Sequence, residues 1–186
     1  MRFGFAAALT ILVAGGAAWS GGRVSDLRLQ DLHGKPVRLS DMWKRGGNGV
    51  LVLPARSRQE CRARHGCMQP EIPIAVVFDT AANGPALLID PSEKIRREFL
   101  DAQLDVVLNE TAGWVRGMRS YDVQCSGCHG YDGGDKSYPK IKPLAGIGQR
   151  CNIDEIIEQM SKMGKVDLSA MDEEAKRALA AYVSTL

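Results

Sequence analysis

The residues of this chain that are best suited to chemistry are Cys125, Cys128 and His129, which occur in the order C-x-x-C-H. Thiols at this spacing lie within about one turn of a helix, so both can add to the vinyl groups on one edge of a porphyrin. The adjacent imidazole can then bind the iron as an axial ligand. The same three residues could instead supply a redox-active dithiol or half of a zinc site.

The sequence around the motif favours the porphyrin. A zinc site needs further ligands, and the other histidines, His33 and His65, lie far upstream. A redox-active dithiol normally follows a strand. Residues 113–124 instead predict a helix, with Val115 and Met118 on its apolar face. We therefore expect a covalently bound haem.

Two more helices are predicted after the motif. "NIDEIIEQMSKMG" has Asn152 or Asp154 as its N-cap and Gly164 as its end. "MDEEAKRALAAYVSTL" places acidic residues in its first turn and then apolar residues, among them Leu179 and Tyr182, at helical spacing. A helical unit this short buries little surface, and such units often need a disulfide or a cofactor for stability.

Residues 113–186 resemble class I cytochromes c. The opening motif of that family, G-x-x-x-[YF]-x-x-x-C-x-x-C-H-G, is matched by Gly117, Tyr121, Cys125, Cys128, His129 and Gly130. The last helix of the family carries L-A-x-[YW], which is matched by Leu179, Ala180 and Tyr182. The resemblance implies an all-α domain in which that last helix crosses the first one at Gly117.

The resemblance also implies the cofactor and most of its contacts. One haem c would be bound covalently by Cys125 and Cys128, with His129 as an axial iron ligand. A proline-containing turn of the family, P-L-x-G, is matched by residues 143–146. In the family the carbonyl of that proline, here Pro143, accepts a hydrogen bond from Nδ1 of the axial histidine and fixes its tautomer.

A methionine is expected as the second axial ligand, because the family usually supplies one before its last helix. The usual form, Met-Pro, does not occur here. Met163 is the prediction, since it stands before Gly164 and a loop that leads to the last helix, and Met171 is the second choice. Met160 lies on the apolar face of its helix, so we expect it in the core. Water, an open site or a histidine of the first half are the alternatives.

The first half of the chain has a strand pattern. Apolar and polar residues alternate on either side of residues 33–35, as in a β-hairpin. Three short apolar runs then predict buried strands: "GVLVLPA" (residues 49–55), "IPIAVVFD" (residues 72–79) and "PALLIDP" (residues 85–91). Residues 92–108 fit either a strand followed by a helix or one longer helix.

This half resembles the thioredoxin-like superfamily, especially its copper-chaperone and peroxiredoxin-type members. The opening L-x-D-x-x-G-K-P-V-x-L-S-D is matched from Leu29 to Asp41, and "NGPALLID" (residues 83–90) is similar to the proline-preceded strand of that fold. The stretch between "GVLVLPA" and "PALLIDP" is short for the usual helix–strand–helix, and no C-x-x-C follows "GVLVLPA". We therefore expect a reduced, redox-inactive relative.

The predicted fold class is α+β in two parts. A small, reduced thioredoxin-like α/β domain covers residues 23–111, and an all-α class I cytochrome c domain covers residues 113–186. Residues 1–20 have a short n-region with Arg2, an apolar stretch and an end similar to A-x-A, so they are predicted to be a signal peptide. An uncleaved membrane anchor is the alternative, although the apolar run is short for a span of roughly 20 residues.

The other cysteines suggest a disulfide or a second metal site. Cys61 and Cys67 flank His65, and an oxidising compartment favours a small disulfide loop between them. Two thiolates and an imidazole could alternatively bind copper(I), which prefers soft sulfur ligands. Cys151 could instead pair with one of these cysteines and join the two halves.

The predicted function is the transfer of single electrons in a periplasmic respiratory or dehydrogenase chain, between donor and acceptor proteins. A formal net charge of only +2 and the lack of a basic stripe give no support to nucleic-acid binding. A membrane is expected only indirectly, through a partner complex or an uncleaved signal. No constellation of catalytic acid, base and nucleophile stands out, so an enzyme is not the prediction.

The alternative function is that of a haem-containing redox or copper assembly or sensor protein. In that case Cys61, His65 and Cys67 would handle copper or thiols, and the haem would supply or report the redox state. A catalytic subunit with an open haem site is a third, weaker hypothesis.

Overall fold

The computed structural model describes residues 27–43, 49–64, 67, 74–80, 84–134 and 141–186. The predicted signal peptide and His65 lie outside the described residues. The described chain is mixed α/β, with a six-stranded sheet in its first half and helices in its second half. The α+β class is therefore confirmed.

The strands of the described residues form one sheet. They are β1 (Leu29–Gln30), β2 (Pro36–Val37), β3 (Val50–Pro54), β4 (Ala75–Asp79), β5 (Ala86–Ile89) and β6 (Ile95–Phe99), in the spatial order β2-β1-β4-β3-β5-β6. β3 and β4 run parallel, and the other neighbouring pairs are antiparallel. β1 and β2 form the predicted hairpin, whose turn contains Gly34 at a positive φ of 89°, a conformation that suits glycine.

The central strands β3 and β5 are buried along their whole length, as their continuous apolar runs predict. Successive side chains point to opposite faces of the sheet. On one face, Val50 and Val52 belong to a cluster that includes Met42 of α1 (Leu39–Trp43). On the other face, Leu51 and Leu53 belong to a core shared with the helices. A short helix, α2 (Ser57–Ala63), connects β3 with β4.

A single long helix, α3 (Leu104–Gln124), follows β6. Residues 92–108 therefore contain a strand followed by the start of a helix. The buried residues of α3 recur mostly three or four positions apart, so one stripe of the helix faces the core. The helix runs without a break through residues 111–113, where the two predicted domains meet.

The second half continues with a short helix, α4 (Ser126–His129), and two longer ones, α5 (Ile153–Met163) and α6 (Glu173–Val183). Short 3-10 helices precede α5 at Ile147–Gln149 and α6 at Leu168–Ala170. α6 packs along α3, and α5 packs on α6. Asn152 caps α5 through a capping box, and Gly164 ends it in the left-handed conformation. Both ends agree with the sequence prediction.

The two halves share one apolar core. Leu88 and Phe99 of the sheet belong to the same buried cluster as Trp114 and Tyr121 of α3 and Leu179 of α6. The helix α3 therefore packs against both the sheet and the later helices. No described helix is long and apolar enough to cross a membrane.

Candidate functional site

The C-x-x-C-H residues form a helical turn that continues α3. The N–H of Cys125 donates to the carbonyl of Tyr121 at 2.8 Å. The N–H groups of Cys128 and His129 both donate to the carbonyl of Cys125, at 3.1 and 3.0 Å. The turn is the short helix α4 (Ser126–His129). A single helical turn at the end of α3 therefore positions all three reactive residues.

The two thiols of the motif differ in their surroundings. Cys125 is buried and Cys128 is exposed, and both are free thiols. Burial, with a smaller contribution from Cys128, raises the pKa of Cys125 to about 11. A redox-active dithiol needs a lowered pKa, since the thiolate is the reacting form. The environment of Cys125 therefore argues against that alternative.

The surroundings of His129 favour the neutral form of its imidazole. Burial lowers its pKa, and the backbone of Lys142 opposes this effect. Nδ1 is shielded from solvent and has no hydrogen-bond partner among the described residues, although the effect of Lys142 shows that a backbone acceptor lies near it. Neutral imidazole is the form that binds metals. The next residue is Pro143, and a hydrogen bond from Nδ1 to the Pro143 carbonyl stays a prediction.

The zinc alternative finds no support in the described residues. Within them, no group of three or more His, Cys, Asp or Glu side chains is arranged to hold a metal ion. The described residues therefore add no further zinc ligand to Cys125, Cys128 and His129.

Tyr121 connects α3 to the residue after the motif. Its hydroxyl donates to the carbonyl of Gly130 at 2.6 Å. Its ring is fully buried and lies 5.2 Å from the ring of Tyr182 on α6, which in turn lies 5.1 Å from the ring of Trp114. Burial raises the pKa of Tyr121 far above its usual value, so the hydroxyl stays a hydrogen-bond donor. The family motif marks the position of Tyr121 but does not indicate this bond.

The helices α3 and α6 cross at Gly117, as the cytochrome resemblance implies. A Cβ atom at Gly117 would collide with the carbonyl group of Ala178 and would lie 2.8 Å from Cβ of Tyr182. A second close approach occurs at Gly148, where a Cβ atom would collide with the carbonyl of Ser184. No local pattern singles out Gly148, because its neighbour in space lies far along the chain.

Hydrogen bonds to Gly133 hold the loop after His129 in place. The carbonyl of Gly133 accepts the N–H groups of Leu144 and Ala145, at 2.8 and 3.3 Å. Gly133 has a positive φ of 71°, and a Cβ atom there would lie 3.1 Å from Cδ1 of Leu186. These contacts hold the segment that begins at residue 141 against the motif, and so place the backbone of Lys142 beside His129.

The candidate methionine ligands differ in exposure. Met160 is buried, which confirms its expected place in the core. Met171 is half-buried, and its sulfur accepts a hydrogen bond from Nε2 of Gln124 at 3.4 Å. Met163 is 48% exposed at the end of α5. Of the three methionines, it is therefore the one whose thioether packs least against the protein. Ligation by Met163 or Met171 stays a prediction.

Cys61 and Cys67 form a disulfide, with their Cα atoms 4.8 Å apart. This agrees with the disulfide loop favoured by the sequence, and it removes the two thiolates that copper(I) would need. His65 lies outside the described residues. Cys151 is a free thiol, half-buried, with Nε2 of Gln159 at 3.3 Å from its sulfur, so it does not join the two halves.

Comparison with models of protein families, with curated proteins and with solved structures found no match for this chain. The residues of the site can still be compared with the needs of a covalent haem. Cys125 and Cys128 are free and lie on one turn, and burial favours the neutral form of His129. Nδ1 of His129, the atom by which an axial histidine is usually oriented, is shielded from solvent beside the backbone of Lys142. These residues fit the group.

Proposed function

We propose that this chain is an exported c-type cytochrome with one covalent haem c. It carries single electrons in a periplasmic respiratory or dehydrogenase chain. The observation that supports this most strongly is the half-buried His129 on the same helical turn as two free thiols. The crossing of α3 and α6 at Gly117 adds support, because it is the helix arrangement expected of a class I cytochrome c.

Each residue of the motif has a distinct task in this proposal. Cys125 and Cys128 hold the haem through thioether bonds, and Nε2 of His129 binds the iron. The haem supplies a one-electron couple. The backbone near Lys142 and Pro143 orients the imidazole through Nδ1. Met163 is the proposed second axial ligand, because its exposed thioether is free of core packing.

The chain would then combine two family-like parts that meet in α3. The first part is a reduced thioredoxin-like unit. In support of this, the described residues between β3 and β5 contain only α2 and β4, which is less than the helix–strand–helix that the family has there. β5 is preceded by Pro85, as in the family strand. The second part is the cytochrome c unit from residue 113 onward.

A periplasmic location fits the cysteine chemistry. Disulfides persist in oxidising compartments, and Cys61 is paired with Cys67. The proposed partners are an electron donor and an electron acceptor protein. A membrane would be reached only through a partner complex or a retained signal.

An optical spectrum of the exported protein tests the proposal. We expect a low-spin haem spectrum that changes on reduction, and a haem that acid acetone does not extract. Extraction of the haem by acid acetone would contradict its attachment to Cys125 and Cys128.

The same spectrum assigns the second axial ligand. Methionine ligation gives a weak long-wavelength band in the oxidised protein, which Met163→Ala should abolish while lowering the reduction potential. Met171→Ala and Met160→Ala serve as controls and should keep the band. Loss of the band in Met171→Ala alone would move the assignment to Met171.

The second candidate function is redox or copper assembly or sensing through the first half. The Cys61–Cys67 disulfide supports it, because a dithiol that can be reduced would be a second redox centre. Against it, Cys61 is completely buried, so a reductant could reach it only after local opening. An oxidised spectrum without the methionine band would favour this candidate or the catalytic subunit with an open haem site.

A further inference from the structure

A buried ion pair lies at the edge of the sheet nearest to α6. Nε of Arg96 donates to Oδ2 of Asp90 at 2.7 Å, and the two side chains are only 7% and 10% exposed. The other carboxylate oxygen of Asp90 accepts the N–H groups of Ser92 and Lys94 and the hydroxyl of Ser92. Asp90 is therefore fully satisfied, and it fixes the guanidinium of Arg96 in one orientation.

Arg96 also donates a hydrogen bond to the last residues of the helical half. Its Nη1 donates to the carbonyl of Thr185 at 2.9 Å. The hydroxyl of Thr185 accepts the indole N–H of Trp114 at 3.2 Å and donates to the carbonyl of Tyr182 at 2.7 Å. The segment from Tyr182 to Leu186 is thus hydrogen-bonded both to the sheet, through Arg96, and to α3, through Trp114.

The same segment contacts the candidate site at three points. The ring of Tyr182 lies beside that of Tyr121, whose hydroxyl holds the residue after the motif. The carbonyl of Ser184 makes the close approach at Gly148, and Leu186 packs over Gly133. Gly133 is the residue that accepts the N–H groups of the segment beside His129.

We propose that Arg96 is a positioning residue for the haem-binding loop, the residues 130–134 and 141–146. It acts through the segment Tyr182–Leu186, which it holds against Gly133 and Gly148. The sheet half thereby fixes the backbone that orients His129. This inference rests on the proposed function in so far as the loop binds a haem, but the contacts of Arg96 do not depend on it.

Arginine is needed because two acceptors lie in different directions from one side chain. The planar guanidinium donates from Nε to Asp90 and from Nη1 to Thr185 at the same time. A lysine at this position keeps the charge, but it presents its donors from one point on a flexible stem and so does not match both acceptors as the planar fork does. Arg96→Lys therefore separates the positioning role from the charge.

The neighbouring Arg97 provides a matched control. It lies on the same strand and pairs with Glu110 at 2.5 Å, but its side chain is 49% exposed. Arg97→Lys makes the same chemical change one residue away, without a bond to the segment Tyr182–Leu186. A second variant, Leu186→Ala, removes the contact with Gly133 and leaves the buried ion pair intact, so it tests the same link if Arg96→Lys folds poorly.

Amide hydrogen exchange of the full-length protein measures the effect on the loop. In Arg96→Lys and Leu186→Ala, the N–H groups of Leu144 and Ala145 should exchange about tenfold faster, as expected for the loss of a charge-assisted hydrogen bond or of local packing. The amides of β3 should be unchanged, and Arg97→Lys should match the wild type. Equal exchange in all variants overturns the proposal. An equal acceleration in β3 also overturns it, because the effect would then be global.

The reduction potential of the haem-loaded protein is a second test. Substitution of a residue that only stabilises the fold would leave this potential unchanged. Loosening the loop admits water to the iron site and favours the oxidised form, so Arg96→Lys should lower the potential, while Arg97→Lys should leave it unchanged. Equal potentials overturn the positioning role. A wild-type protein without haem would contradict the proposed function, and the exchange rates would still decide whether Arg96 holds the loop.

Discussion

The sheet half and the helical half of this chain use their apolar residues differently. In the sheet half, β3 and β5 are buried throughout and a disulfide closes the loop after α2. In the helical half, Val123 and Tyr131 lie within a few residues of the C-x-x-C-H motif and are 85% and 78% exposed, more than Leu100 at 55% and Val106 at 44% earlier in the chain. One face of the sheet packs in a cluster of its own, formed by protein alone. We expect the helical half to pack on a further group, in addition to the core that it shares with the other face of the sheet.

The largest effect is expected from removing both thiols of the motif. In Cys125→Ser with Cys128→Ser, the helical half should lose the proposed haem and with it most of the order of α5 and α6. The sheet should lose less, since the face that carries Val50 and Val52 packs in a cluster separate from the helices. Far-ultraviolet circular dichroism and amide exchange by element would show this. An unchanged helical signal and an unchanged melting temperature would contradict the claim that the helical half depends on a further group.

A second large effect is expected at the link between the halves. Asp90→Asn leaves the guanidinium of Arg96 buried without its counter-charge, and breaking a buried pair in this way costs about 3–5 kcal/mol. Glu110→Gln, which affects the exposed pair with Arg97, should cost about 0–1 kcal/mol. Urea unfolding of both variants measures these values. A cost for Asp90→Asn no greater than that of Glu110→Gln would show that the buried pair does not join the halves.

A smaller effect is expected at the helix crossing. Gly117→Ala places a Cβ atom into the carbonyl group of Ala178, so α3 and α6 must separate, at a cost of about 1–3 kcal/mol. Gly113→Ala is the control on the same helix, because a Cβ atom there meets nothing within 4 Å. It should be neutral or stabilising. Equal thermal stability of the two variants would contradict the tight crossing.

The smallest effect is a pH dependence located in the sheet half. Burial alone would raise the pKa of Asp90, but hydrogen bonds from Ser92 and Lys94 and the bond from Arg96 together lower it below its usual value. The unfolded chain therefore takes up this proton first as the pH falls. The stabilisation is complete above the unfolded value of about 3.9 and is lost as the pH falls through the folded value.

The difference in unfolding free energy between the wild type and Asp90→Asn should accordingly shrink on acidification. Denaturant unfolding measured from neutral pH down to about pH 3 checks this. A difference that stays constant over this range would mean that Asp90 has an ordinary pKa in the folded protein.

Local signals in the sequence predicted much of the fold. The hairpin at Gly34, the buried strands and both ends of α5 follow from turn residues, apolar runs and caps, which act over a few residues. The continuity of α3 across residues 111–113, where the two predicted domains meet, was not foreseen. The residues on either side of this point have different neighbours in space, but the helix does not break.

The candidate site was predictable only in part, for a related reason. The motif Cys125, Cys128 and His129 is contiguous in sequence, so its presence on one turn could be foreseen. The bond from Arg96 to Thr185 joins residues 89 positions apart, and no local pattern indicates it. The close approach of Gly148 to Ser184 is similarly a product of helix packing.

The intact mass of the protein, recovered from the periplasm of an expression host that matures c-type cytochromes, tests the central claim most directly. We predict the mass of the mature chain plus one haem, and the mass of the chain alone for Cys125→Ser with Cys128→Ser. Cys151→Ser is the matched control and should keep the added mass, since Cys151 lies outside the motif. A wild-type mass equal to that of the bare chain would contradict the account.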